Sequence, residues 1–106
     1  MKKVIAAALI AIASSSAIAE KTYTAYDVCE GIGRLAETVM TGRQKETPMS
    51  SMMKLAEGPE KEVTRSIIIT AYERFAYRTP ANQKRSIAKF KNDVYLICVK
   101  KIATKD

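Results

Sequence analysis

Three closely spaced glutamates, two cysteines and a short basic run are the residues in this 106-residue chain whose chemistry could do work. Glu57, Glu60 and Glu62 are the obvious candidates for paired carboxylates, which suffice for glycoside hydrolysis when an acid and a base or nucleophile flank the bond. They also flank a helix start, where the helix dipole alone favours acidic side chains, and that explanation outweighs the catalytic one. Histidine is missing altogether, which removes the usual general base, the Ser-His and Cys-His nucleophile pairs and the commonest metal ligand. No glycine-rich phosphate cradle, Walker sequence or calcium loop occurs. The expectation is a protein that is not an enzyme, uses no cofactor and no metal, and works by binding.

What the two cysteines do depends on the compartment, and the N-terminus addresses that. Met1, Lys2 and Lys3 precede an apolar run over residues 4–13, then Ser14, Ser15 and Ser16, then Ala17-Ile18-Ala19 before Glu20. Lysines that stay on the cytoplasmic side, a short apolar helix and small side chains at Ala17 and Ala19 are the parts of a cleavable secretory signal peptide. The competing reading, a retained anchor, needs roughly 20 apolar residues. Lipid attachment needs a cysteine at the cleavage point, and Cys29 lies well beyond it. Residues 1–19 therefore read as a signal peptide and residues 20–106 as a single periplasmic or secreted domain. Cleavage takes two of the 18 basic and none of the 11 acidic residues, leaving 16 against 11, or +5. That charge attracts anionic surfaces without distinguishing lipid, cell-wall polymer or an acidic protein. Export makes intracellular nucleic acid the poorest partner.

Cys29 and Cys98 then meet conditions that oxidise thiols. Pairing closes a loop of 98 minus 29, or 69, residues, an effect typically worth about 2–4 kcal/mol; two free buried thiols are the alternative. Oxidation would also remove thiolate and cysteine-zinc chemistry.

Four segments must position these residues. Residues 27–41 carry Val28, Cys29, Ile32, Leu35, Ala36, Val39 and Met40 at helical spacing. Asp27 can cap that helix with Glu30 three residues on, and Gly42 stands where a left-handed C-terminal residue is wanted. Gly31 and Gly33 weaken its first turns or permit close backbone approach beside the disulfide. Thr47-Pro48 opens a short helix with Met49, Met52, Met53 and Ala56 on its buried face, stopped by Gly58-Pro59. Pro59 opens a third helix whose wide face, Val63, Ile67, Ile68, Ala71, Tyr72 and Phe75, predicts the central position in the bundle; the run Ile67-Ile68-Ile69 also fits a strand. Thr79-Pro80 opens a fourth helix over residues 80–100, with Ile87, Phe90, Val94, Ile97 and Cys98 in one stripe and Arg85, Lys89 and Lys100 opposite. The fold class is all-α, a small bundle of about four helices closed by one disulfide if the first and last pack antiparallel.

Three features could serve binding. Arg43-Gln44-Lys45 reads as a loop offering exposed donors, against an ordinary solvated loop. Met49, Met52 and Met53 offer an adaptable thioether surface, against core packing. Ile69 and Ala76 lie away from the main apolar face of the third helix with Tyr72 at the margin, so they either meet a neighbouring helix or form an exposed apolar patch.

The exported start, Arg43-Gln44 followed by Met49-Ser50-Ser51-Met52-Met53, the step Ala71-Tyr72-Glu73 and the closing Phe90-Lys91-Asn92-Asp93-Val94-Tyr95-Leu96-Ile97-Cys98 resemble small exported proteins encoded by tailed phages and prophages of Gram-negative bacteria. That resemblance covers most of residues 26–98, implies no particular activity and carries over no functional residue. Cys29-Glu30 and Tyr95-Leu96-Ile97-Cys98, with the size and the signal peptide, also resemble the Spackle family of T-even phages, periplasmic inhibitors of the phage tail lysozyme; the middle of the chain departs from that pattern. Together these readings lead to the expectation of a binding module that modulates or inhibits an envelope protein. A stress chaperone that exposes its apolar face on acidification or heating, and a cationic binder of membrane or cell wall, are the competitors. The second lacks a strongly basic, tryptophan-bearing amphipathic helix.

Overall fold

The structure, a computed structural model, describes residues 24–105. The signal peptide expected at residues 1–19, with its cleavage point, lies outside the described residues. Among the described residues there are four α-helices and no strand: α1 (Ala25–Gln44), α2 (Met49–Met52), α3 (Lys61–Tyr72) and α4 (Pro80–Lys105), with a 3₁₀ turn over Met53–Leu55. No helix among them is long and apolar enough to cross a membrane.

The cap of α1 lies three residues before the expected one. Thr24 is the N-cap, its Oγ1 accepting from the Asp27 N–H at 3.2 Å while Asp27 Oδ2 accepts from the Thr24 N–H at 2.9 Å. This reciprocal box satisfies two donors that a cap at Asp27 would leave to water. At the other end α1 runs past Gly42 to Gln44, and the left-handed position falls on Glu46, with φ 63°. The Thr47 N–H reaches the Gly42 carbonyl at 2.9 Å and the Glu46 N–H the Arg43 carbonyl at 3.0 Å, the bond pair of a Schellman motif without its usual glycine. Gly42 serves a different need: a Cβ there would lie 1.9 Å from Met52 Cε, so its bare backbone lets α2 pack against α1. Gly33 faces Lys91 and Tyr95 of α4 at distances a Cβ would tolerate, and Gly31 faces open space apart from Arg34, so neither is required for close approach.

α2 is a single turn with Pro48 as its N-cap rather than its first residue. Met49 is exposed, Met52 and Met53 are half-buried against the core, and only Ala56 is buried. Gly58, at φ 93°, and Pro59 form the turn before α3, which starts at Lys61. Ile67, Ile68 and Ile69 are helical. Three β-branched residues cost a helix a few tenths of a kcal/mol each, whereas full burial of one such side chain gains about 1.5–3 kcal/mol, and Ile68 is wholly enclosed. Val63 is exposed, and α3 ends at Tyr72, before Phe75 can join its buried face. α4 opens as its sequence predicts, with Pro80 first and Thr79 Oγ1 accepting the Asn82 N–H at 3.4 Å.

The central helix is α1, not α3. It packs along α4, against α3 and against α2, while α3 and α4 barely meet. Ala36, Val39 and Met40 of α1 close on Ile67, Ile68 and Ala71 of α3 and on Phe90 of α4, with Ala56 at the edge. Ile97, expected in the buried stripe, is exposed because the stripe outruns the helices that could cover it. Cys29 and Cys98 form a disulfide with Cα atoms 5.6 Å apart, tying the start of α1 to the last turns of α4.

Candidate functional site

Arg43, Gln44 and Lys45 do not form a loop of exposed donors. Arg43 and Gln44 are the last turn of α1, and Lys45 alone faces solvent. Gln44 is 2% exposed. Its Nε2 donates to the Phe75 carbonyl at 2.8 Å and its Oε1 accepts from the Tyr77 N–H at 2.8 Å, with Ser86 Oγ of α4 3.4 Å from Nε2. Arg43 Nε donates to the Arg74 carbonyl at 2.9 Å, and its guanidinium lies 5.3 Å from the centre of the Tyr72 ring. From α4, Gln83 Nε2 donates to the Tyr77 carbonyl at 2.8 Å. Four main-chain groups of the 73–79 connection are thus held by three side chains, and among the described residues no buried side-chain nitrogen or oxygen lacks a partner. A fully satisfied polar network of this kind rigidifies the backbone it grips.

Tyr72 belongs to the same clamp. Its hydroxyl donates to the Thr47 carbonyl at 2.5 Å, and burial pushes its pKa up against the opposing influence of the Arg43 charge. Ile69 is exposed on the adjoining turn of α3 and joins no cluster with the other four predicted residues. The structure therefore brings together Arg43, Gln44 and Tyr72 as an internal brace and leaves Lys45 and Ile69 outside it.

What the brace holds outward is aromatic. Phe75 is 67% exposed and Tyr77 39%, their rings edge to face with centroids 4.9 Å apart. Beside them opens a cleft of about 550 Å³ between Arg74, Phe75 and Tyr77 on the connection and Asn82, Arg85 and Lys89 on α4. Arg74 Nη1 pairs with Asp93 Oδ2 at 3.0 Å and its guanidinium lies 4.9 Å from the Phe90 ring centre, while Lys89 Nζ reaches the same carboxylate oxygen at 3.2 Å. Partial burial alone would raise the Asp93 pKa, but the hydrogen bonds and charges of Arg74 and Lys89 together outweigh it and hold the carboxyl below its ordinary value. Among the described residues, Arg85 Nη1 donates only to Asn82 Oδ1, at 3.2 Å.

A second, apolar groove of about 380 Å³ runs between α3 and α4, with Ile32, Val63, Ile67, Val94 and Ile97 along it and Cys98 at its end. It exists because α3 and α4 diverge. Glu57, Glu60 and Glu62 do not converge on one cleft: all three are exposed, Glu60 occupies the N-cap position of α3 without a side-chain cap bond, and Glu62 pairs with Arg65 at 3.6 Å. Among the described residues no group of three or more acidic or sulfur side chains is placed to hold a metal.

Sequence reasoning missed Gln44 as a buried residue, although a signal was there. Cys29, Gly33, Ala36, Met40 and Gln44 recur at intervals of four and three, so Gln44 extends the buried stripe by one more turn. It missed Phe75 and Tyr77 as a presented pair because nothing between Tyr72 and Pro80 is a glycine or proline that would end the helix. Compared with known proteins, the chain matches no family model, no curated sequence and no solved structure.

Proposed function

We propose that this protein is an exported helical binding module that modulates or inhibits another protein of the cell envelope by forming a one-to-one complex with it. The observation that carries this reading is Phe75, two-thirds exposed on a connection whose main chain is clamped from both sides by Arg43, Gln44 and Gln83. An aromatic held in place before binding loses little freedom when it is covered, and phenylalanine, tyrosine and arginine are all enriched at protein interfaces. The absence of histidine and the single disulfide add to the case for binding over turnover. The resemblance of Cys29-Glu30 and Tyr95-Leu96-Ile97-Cys98 to the Spackle family, which the middle of the chain does not share, is what suggests an inhibitory form of the same role.

Cross-linking in a cell envelope preparation, followed by native mass spectrometry, tests the proposal. The expected result is a specific envelope protein in equimolar complex with the wild-type chain, lost in Phe75→Ser and retained in Lys45→Glu. Arg43 is unsuited to this test because its removal would loosen the connection itself. Equal recovery by Phe75→Ser and wild type would refute the site. Association with anionic vesicles or peptidoglycan alone would favour the cationic competitor, and capture of many heat-denatured proteins the chaperone.

A further inference from the structure

We infer that the cleft beside Phe75 and Tyr77 receives an acidic segment of a protein partner, whose carboxylates meet Arg85 and Lys89 while an apolar side chain covers Phe75. This rests on the binding reading above and specifies the chemistry of what is bound. The cleft carries more cations than its own carboxylates can answer. Asp93 serves both Arg74 and Lys89, Oδ2 receiving the two at 3.0 and 3.2 Å. Arg85, one helical turn before Lys89 on the same face of α4, has a neutral partner in Asn82 and no carboxylate within ion-pair reach among the described residues. Arg78, exposed at the end of the connection, has no ion pair there either. Glu73 is the remaining acid on the cleft and makes no ion pair among the described residues.

Like charges one turn apart on a helix repel, and an arriving carboxylate between Arg85 and Lys89 relieves that repulsion. The planar guanidinium of Arg85, with one Nη1 donor used, still presents donors spaced to fit both oxygens of a carboxylate. Phe75 and Tyr77 line the same cleft, so the segment is amphipathic, not merely anionic. Exposed pairs of this kind act mainly on the rate of encounter and on partner choice, with the aromatic contact holding the complex once formed.

The test uses the mature chain with its disulfide intact and a labelled synthetic peptide of alternating aspartate and leucine. Its lysine-leucine counterpart and vesicles containing phosphatidylglycerol are the comparisons. Saturable binding of the acidic peptide at low salt is expected, with amide NMR shifts at Phe75, Tyr77, Arg85 and Lys89 and an association rate that falls with ionic strength. Arg85→Glu with Lys89→Gln should weaken it roughly tenfold or more, with the melting temperature checked in parallel; Arg85→Gln alone gives a smaller loss if the double variant does not fold. Equal binding of both peptides, NMR shifts centred on Val63 and Ile97, or binding to vesicles without peptide binding would overturn the inference. A Phe75-dependent complex with an envelope protein that is indifferent to Arg85→Glu and to salt would overturn it while leaving the binding reading intact. Peptide binding at the cleft in a protein that forms no envelope complex would do the reverse.

Discussion

At one end of the antiparallel α1–α4 pair, the Cys29–Cys98 bridge fixes two backbones and leaves the apolar groove of Ile32, Val63 and Ile97 beside it uncovered. At the other end, Gln44 and Arg43 hold a connection by hydrogen bonds alone and the surface they shape is polar, cationic and aromatic. The covalent end works on the unfolded chain: the bridge limits how far the ends of the domain can separate, whatever the local packing. The hydrogen-bonded end works on the folded chain, because each bond depends on the exact course of residues 74–77. A crosslink therefore stabilises without shaping a surface, and a buried amide shapes a surface at some risk to stability.

The largest effect should come from the covalent end. Replacing both Cys29 and Cys98 with alanine is expected to lower stability by about 2–4 kcal/mol, towards the upper end for a 69-residue separation. For a domain of this size that is a fall in melting temperature of some tens of degrees, at about 4–8 °C per kcal/mol. Circular dichroism melts with and without reductant measure it. If the two ends are independent, hydrogen exchange at the Tyr77 amide should keep its ranking among the protected amides. A preferential loss of protection there would show that the disulfide also positions the aromatic connection.

The hydrogen-bonded end gives a smaller loss with a local signature. Gln44→Leu fills the space but leaves the Phe75 carbonyl and the Tyr77 N–H without their partner, each unmet buried group costing about 1–3 kcal/mol before water returns some of it. A net loss of about 1–3 kcal/mol is expected, with faster exchange at Tyr77 and weaker Phe75-dependent binding. Gln44→Glu separates the two bonds: it keeps the acceptor for the Tyr77 N–H and loses the donor to Phe75. Unchanged exchange at Tyr77 in Gln44→Leu would mean that Gln83 and Arg43 suffice, and that the brace is redundant.

The same contrast explains what could be read from the sequence. The disulfide, the helical class and the Thr79-Pro80 start were legible because each depends on residue type and local spacing: two cysteines behind a start that reads as an export signal, periodic apolar residues, a capping pair. The brace was not, because it depends on where α1 lies relative to a connection 31 residues further on. Arg43-Gln44 between apolar segments has the composition of a loop, and only the observation that Gln44 falls four residues after Met40 on the buried stripe argues otherwise. The aromatic pair was hidden for a related reason. Phe75 continues the apolar period of α3, yet the helix stops at Tyr72 and the main chain beyond it is held by Arg43 and Gln44 instead. The likeness of Ile67-Ile68-Ile69 to a strand gives way to tertiary burial of Ile68, which no local preference records.

The smallest expected effect lies where α1 hands over to that region. A glycine suits the left-handed end of a helix, and the chain has one at position 42, four residues before it is needed. The left-handed residue is Glu46, exposed, with no side-chain hydrogen bond among the described residues to offset the conformation. A side chain in that region costs roughly 1–2 kcal/mol, while a glycine there adds about 0.4–1 kcal/mol of freedom to the unfolded chain. Glu46→Gly should therefore be stabilising by a few tenths to about 1 kcal/mol, seen as a rise of a few degrees in the melting temperature with an unchanged helical spectrum. Gly42→Ala is the matched contrast, since the added methyl must displace the end of Met52, and its gain in helix propensity of about 1 kcal/mol is offset by looser packing of α2 on α1. A fall in melting temperature for Glu46→Gly would mean that the carboxylate at position 46 contributes more to the end of α1 than its backbone conformation costs. The Schellman bonds from Thr47 and Glu46 would then be held by the main chain on both sides, not limited by the residue between them.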